Sequence, residues 1–198
     1  MLKRHRWAGV LVAVIVVAAC SQSASVEVAD SGLDRLERAI TEAHRSGTFR
    51  LQGVLTDHGS TVSWEGFVAG RNEQYVTHAL GLVIESRRVD GTTWGRRLDQ
   101  QDGWVQAPPD APLDLDVLLR GHDAHSRRDG GAWRITLSYT DVDVLVALTH
   151  IPSVGPSTAE VVVAADVISD ISLLLGGGAL ARLHFADYGA ALTVTAPT

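Results

Sequence analysis

Apolar positions recur at two different spacings along this chain, and the switch between them predicts one helix followed by many strands. Ser31-Gly32-Leu33-Asp34 opens like a capping box with Asp in place of Glu. Leu33, Leu36, Ile40 and Ala43 follow at helical spacing, with Arg35, Glu37, Arg38 and Glu42 between them. This predicts an amphipathic helix that ends at Ser46-Gly47 and needs something to cover its apolar stripe. Beyond Gly47 the period falls to two. Phe49, Leu51, Gly53 and Leu55 alternate with Thr48, Arg50, Gln52 and Val54. After a turn at Asp57 to Ser60, Val62, Trp64, Gly66 and Val68 alternate with Thr61, Ser63, Glu65 and Phe67. Strand-like runs continue around Gln74–Ala79, Leu82–Val89, Thr92–Arg96 and Trp104–Gln106, with Asp90-Gly91 a strong hairpin signal. Short strands joined by Gly-rich turns describe an antiparallel meander with one wet face and one covered face.

Pro108 to Pro112 breaks this meander, and Leu113 to Leu119 predicts a short apolar helix with Pro112 near its start. Residues 121–131 are polar and read as a loop. Trp133 to Tyr139 reads as a strand. Asp141 to His150 is helix-like, with Asp141 as the cap, although Val142, Val144 and Val146 keep a strand in competition. Thr158–Ala165 and Ile168–Leu175 are further strands, the second ended by Gly176-Gly177-Gly178. Ala179–Ala186 and Ala190–Thr195 predict a last hairpin around Asp187-Tyr188-Gly189. Gly53 and Gly66 stand inside strands, where glycine permits bending or close approach. No tandem repeat or second domain is evident.

The amino terminus has a different character. Lys3, Arg4 and Arg6 precede an uncharged apolar run from Ala8 to Ala19, shorter than the roughly 20 residues a bilayer-spanning helix needs. A basic start, a short apolar stretch and small residues at its end make a secretory signal. Val17-Ala18-Ala19-Cys20 resembles a bacterial lipobox, and Cys20 is the only cysteine in the chain. The expected organisation is a signal peptide over 1–19, a lipidated polar tether over 20–30, and one domain over 31–198. Acyl chains on Cys20, at about 0.8 kcal/mol per buried CH₂, would hold that domain to the extracytoplasmic face of the cell membrane.

Charge and cysteine count narrow the classes further. Removing the three basic residues of the signal takes the formal net charge from −6 to −9. A domain that acidic is a poor general nucleic-acid binder. With its cysteine given to lipid, the exported fold has no disulfide and depends on its core.

No catalytic residues are assigned, and the reading is that the protein is not an enzyme and takes no cofactor. His122-Asp123-Ala124-His125 lacks the further ligands a zinc site needs, so no metal is expected. Arg127-Arg128-Asp129 reads as a wet turn, with contact to a lipid head group as the alternative. Asp114 and Asp116, two apart, do not form a carboxylate pair and suit a helix start. Ser153 to Thr158 has no Gly-x-Ser-x-Gly elbow, and the glycines at 176–178 lie between strands where a turn explains them. Trp64, Trp94, Trp104 and Trp133 read as sheet-packing residues.

The stretch Leu183-His184-Phe185-Ala186-Asp187-Tyr188-Gly189 with the alternating residues after it, closing on Ala196-Pro197, resembles the terminal hairpin of the LppX, LprG and LprA group of actinobacterial lipoproteins. The order upstream is similar too: lipobox, tether, amphipathic helix, the Gly-Thr-Phe strand at 47–49, Trp64-Glu65-Gly66, Gly91 to Arg96, then Trp104. The resemblance implies an α+β fold like LolA and LolB, a strongly curved antiparallel sheet forming an open half-barrel wrapped around a few helices. It also implies an apolar space that binds or carries the acyl chains of a lipid or glycolipid, with a membrane transporter or envelope protein as partner. A sensing or scaffolding lipoprotein, similar to anti-sigma-factor regulators and docked on a membrane partner, is the alternative. The lipid-pocket candidates are Leu51, Leu55, Val62, Trp64, Val68, Ile84, Leu115, Leu118, Leu119, Leu145 and Leu148. The same aliphatic residues would serve equally as a solid core, and a one-residue slip would invert the face they occupy.

Overall fold

A computed structural model describes residues 31–198 apart from 101–102, 109–110, 141–143, 150–155 and the side chain of Leu145; the signal, tether and Cys20 lie outside it. The helix α1 (Gly32–Ser46) starts as its sequence predicts. Ser31 Oγ accepts from the Asp34 N–H at 3.1 Å, and the Asp34 carboxylate accepts from the Ser31 N–H at 3.2 Å. It ends at Gly47, whose left-handed backbone (φ 69°) turns the chain directly into the first strand.

Eleven antiparallel strands follow: β1 (Thr48–Asp57), β2 (Ser60–Ala69), β3 (Asn72–Ala79), β4 (Leu82–Val89), β5 (Thr92–Arg97), β6 (Val105–Ala107), β7 (His122–Asp129), β8 (Ala132–Tyr139), β9 (Ser157–Ala164), β10 (Val167–Leu175) and β11 (Leu180–Ala186). They form a single open, curled sheet in the order β6-β5-β4-β3-β2-β1-β11-β10-β9-β8-β7. Two meanders, β1–β6 and β7–β11, therefore meet where the last strand pairs with the first, Leu51 opposite Phe185 and Gly53 opposite Leu183. At Asp90-Gly91 both turn residues take positive φ, as a two-residue hairpin loop demands.

Register places the alternating apolar residues of both meanders on one face. Leu51, Leu183, Ile171, Val161 and Ile135 are aligned or adjacent across β1, β11, β10, β9 and β8, and all are fully or almost fully buried. The α1 stripe of Leu36, Ala39, Ile40 and Ala43 packs on this face, mainly against β10. Burying Leu36 and Ile40 contributes roughly 1.5–3 kcal/mol each. A 3₁₀ turn, Leu115–Arg120, and a short helix α2 (Val144–Thr149) complete the cover. Leu115, Val117, Leu118, Val144 and Leu148 join the core, and Tyr139 Oη donates to the Leu118 carbonyl at 2.9 Å.

Two expectations are sharpened and two change. The short helix expected over 113–119 forms as a 3₁₀ helix over Leu115–Arg120. The competition at 144–149 resolves as helix. Residues 121–131, expected as a loop, contain β7, an edge strand whose polar side chains face solvent on both faces. The last hairpin does not form: β11 has β1 on one edge and β10 on the other, so 190–195 has no edge left to pair with. The tail instead binds as irregular chain. Gly189 N–H donates to the Thr48 carbonyl, Thr48 Oγ1 donates to the Ala190 carbonyl at 2.7 Å, and Arg87 donates to the Thr195 carbonyl on the outer face.

Candidate functional site

The covered face is not filled evenly. Between the end of α1, the ends of β1 and β2, and the 111–116 segment lies an open hollow of about 640 Å³. Ala43, Phe49, Val68, Leu113 and Leu115 give it apolar walls, and His44, Arg71, Asp114 and Asp116 stand at its rim. The alternation of β1 and β2 puts Phe49 and Val68 side by side as cross-strand partners on this face. Backbone hydrogen bonds fasten the 111–116 segment to its neighbours. Leu113 N–H donates to Glu73 Oε1 at 2.7 Å, and Asp114 N–H donates to the Ala147 carbonyl at 2.9 Å.

A second hollow, about 250 Å³, lies further along the same face, over β2 to β5 and against Thr149 of α2. Its wall is mixed: Trp64, Tyr75, Thr77 and Ile84 beside Glu73, Ser86, Arg88 and Thr93. Two glycines shape it. A Cβ at Gly53 would run into the Trp64 indole, and one at Gly66 would strike the Tyr75 ring and the Gln74 carbonyl, so both rings lie down on bare backbone. Burial, and then the neighbouring Glu73 carboxylate, push the Tyr75 hydroxyl well above its ordinary pKa, so it stays neutral. The two hollows share a boundary: Val68 of the first and Glu73 of the second are cross-strand partners, and Glu73 holds Leu113.

The outer face has a different make-up. A wide depression of about 480 Å³ over Gly53 is walled by Glu65, His78, Asp170, Arg182 and His184, with His184 Nδ1 and Asp170 Oδ1 2.9 Å apart. Glu85 is almost fully buried there. Gln74, Arg87 and Arg96 donate to it, and the two guanidinium groups lie over the Trp104 ring at 4.8 and 4.6 Å. These groups satisfy one another and fasten the tail.

Of the lipid-pocket candidates, Val68 and Leu115 line the larger hollow, and Trp64 and Ile84 the smaller. Leu51, Leu118 and Leu148 are fully buried in the packed core. Leu55 and Val62 are partly buried against that core. Leu119 is 37% exposed and points away from it, a correction that follows from the tighter turn of a 3₁₀ segment. The side chain of Leu145 lies outside the described residues. Sequence reasoning missed Phe49, Leu113, Glu73, Arg88 and Thr93 as lining residues. Phe49 shares the parity of Leu51 and was legible; the polar residues of β3 to β5 carry no such signal.

The class of fold is a large, open, curled antiparallel sheet with few helices. The chain is similar to the Mycobacterium tuberculosis lipoprotein LppX, with a TM-score of 0.58 and 14% identity over 82% of this chain and 97% of that one. At that identity the likeness is one of fold. A DUF1329 family protein from Desulfovibrio piger aligns over 80% of this chain and 93% of its own, at 8% identity and a TM-score of 0.36. No family model matches the sequence, and neither does any curated protein. Among the described residues no helix is long and apolar enough to cross a membrane.

Proposed function

We propose that this chain is a lipoprotein, anchored through Cys20 on the extracytoplasmic face of the membrane, that binds or carries the acyl chains of a lipid or glycolipid. The observation that carries the reading is the apolar hollow of about 640 Å³ walled by Ala43, Phe49, Val68, Leu113 and Leu115. Its size falls in the range of about 300–1,000 Å³ typical of small-molecule sites. A hydrocarbon chain there gains roughly 25 cal/mol for each Å² of apolar surface removed from water, and no catalytic group is required. The fold, shared with a lipoprotein, and the lipobox-like Val17-Ala18-Ala19-Cys20 support the same reading. An anchor would keep the hollow beside a source of lipid, with a membrane transporter or envelope protein to receive it.

Native mass spectrometry of the chain from residue 21 onward, purified from a bacterial host, tests the binding. Adducts of lipid mass, and saturable uptake of a fluorescent fatty acid, are expected. A clean apo mass with no uptake refutes it. Cys20→Ser, expressed with labelled palmitate, tests the anchor: the label and membrane association should both disappear.

A further inference from the structure

We propose that the depression on the outer face of the sheet is a binding site for a short peptide zwitterion, which sets its carboxylate on Arg182 and its ammonium group on Glu65. The site lies on the opposite face from the two hollows and stands apart from the acyl-chain reading.

The first observation is register. Two rows of outward side chains cross the middle of the sheet. One row runs Asp170, His184, Gln52, Glu65, and the next sets Val54 beside Arg182. Arg182 and Glu65 therefore stand on opposite sides of β1. Two strand spacings across and one two-residue step along put their Cα atoms about 12 Å apart. Both residues wall the depression of about 480 Å³.

The second observation is charge left over. The other strand arginines of the outer face are paired: Arg50 with Asp187, Arg87 and Arg96 with Glu85, Arg127 and Arg134 with Glu160. Arg182 has neither an ion pair nor a side-chain hydrogen bond among the described residues, and the same holds for Glu65. Asp170 is already met by His184 Nδ1, 2.9 Å away. One unpaired cation and one unpaired anion thus border the same space without meeting. A simple anion would take Arg182 and leave Glu65 close to a like charge; a simple cation would do the reverse. A ligand with both charges satisfies both walls, and a guanidinium takes a carboxylate through two parallel hydrogen bonds. The third observation is size. The termini of an extended dipeptide stand about 7 Å apart, a span that the two wall side chains can bracket. Val54, 42% exposed among these polar groups, offers an apolar floor for a small aliphatic side chain. A phosphoethanolamine head group holds its charges only two carbons apart, too close together to engage both walls.

Three probes test this: the dipeptide Ala-Ala, its N-acetyl form and its C-terminal amide. Each is titrated into the chain from residue 21 onward, and binding is read from backbone amide resonances at 52–54, 63–65 and 182–184. Ala-Ala should bind about fivefold more tightly than either capped form. Arg182→Gln should weaken Ala-Ala and the N-acetyl form, which carry the carboxylate, about fivefold and leave the amide unchanged. Glu65→Gln should weaken Ala-Ala and the amide and leave the N-acetyl form unchanged. Both side chains are exposed, so neither change reaches the core, and unmoved resonances of α1 check that the fold is kept. Equal affinities for the three probes, no shift at those residues, or an effect that does not follow the charge removed overturns the site. Glycerophosphoethanolamine binding more tightly than Ala-Ala overturns the peptide assignment.

Discussion

Val68→Phe and Leu118→Trp separate ligand space from packed core. Both enlarge an aliphatic side chain, and both parent residues are buried, Val68 at 6% exposure and Leu118 at 0%. Their surroundings differ. Val68 borders the 640 Å³ hollow, whereas Leu118 lies in the continuous core, with its carbonyl taken by Tyr139 Oη at 2.9 Å. Extra volume in a packed core forces off-rotamer side chains and costs about 1–3 kcal/mol. At Val68 the added ring has a space to enter, so the cost should stay below about 1 kcal/mol. That ring would occupy the room of about four methylenes of a bound chain. At about 0.8 kcal/mol per CH₂ this is about 3 kcal/mol, a loss of affinity on the order of a hundredfold. Urea unfolding midpoints measure the stability side, and titration with a fluorescent acyl probe measures the binding side. If Val68→Phe is as destabilising as Leu118→Trp and leaves probe affinity intact, the hollow is merely slack packing and the reasoning fails.

Removing the carboxylate in Glu73→Ala leaves the Leu113 N–H without its acceptor, and should cost about 1–3 kcal/mol and raise hydrogen exchange at residues 111–114; unchanged exchange there would show that the segment does not depend on Glu73. Glu85→Gln leaves Arg87 and Arg96 facing each other around Trp104, and should cost about 3 kcal/mol, the low end for a broken buried pair because the guanidinium groups keep some water. The carboxy-terminal residues should then become accessible to carboxypeptidase, and retained protection would disconnect this cluster from the tail. All three tyrosines, Tyr75, Tyr139 and Tyr188, have hydroxyls whose pKa burial raises above its ordinary value. Since the folded values exceed the unfolded one, their contribution to stability is complete below about pH 10 and is lost as the pH rises through the folded values. Tyrosinate absorbance should therefore appear together with loss of circular dichroism, and tyrosinate forming first in an intact fold would refute this.

What the sequence could reveal was set by where burial was repetitive. Leu51, Leu55, Val62, Trp64 and Val68 fall on one face at period two, and register across β1 and β2 confirms the parity. The α1 stripe and both its ends were legible from side chains alone, because capping is a local event. The strand-interior glycines were informative for the same reason: a position without a side chain is a place where another group can come close, and at 53 and 66 it is an aromatic ring. β7 escaped because a sheet edge pairs on one side only, and its charged side chains there discourage further pairing. The reverse error at 190–195 has a topological cause: alternation can mark a segment as strand-like, but cannot say whether an edge is free when the segment arrives.

The candidate site was harder to read than the core for a physical reason. A core residue has the same character whatever its partner, so the apolar pattern alone locates it. The walls of a hollow are set by what is missing between elements far apart in the chain, here α1, β1 to β5 and the 111–116 segment. Polar residues in those walls carry even less local signal. Glu73 and Glu85 are charged residues whose type argues for solvent, yet both are almost fully buried. Each is tolerable only because the fold brings it donors from elsewhere: the Leu113 N–H, forty residues on, for Glu73, and Gln74, Arg87 and Arg96 for Glu85. Such groups raise the cost of misplacing the 111–116 segment or the tail, because a slipped element would leave a carboxylate buried and unmet. Glu73 thereby ties the stability of the fold to the position of the wall between the two hollows.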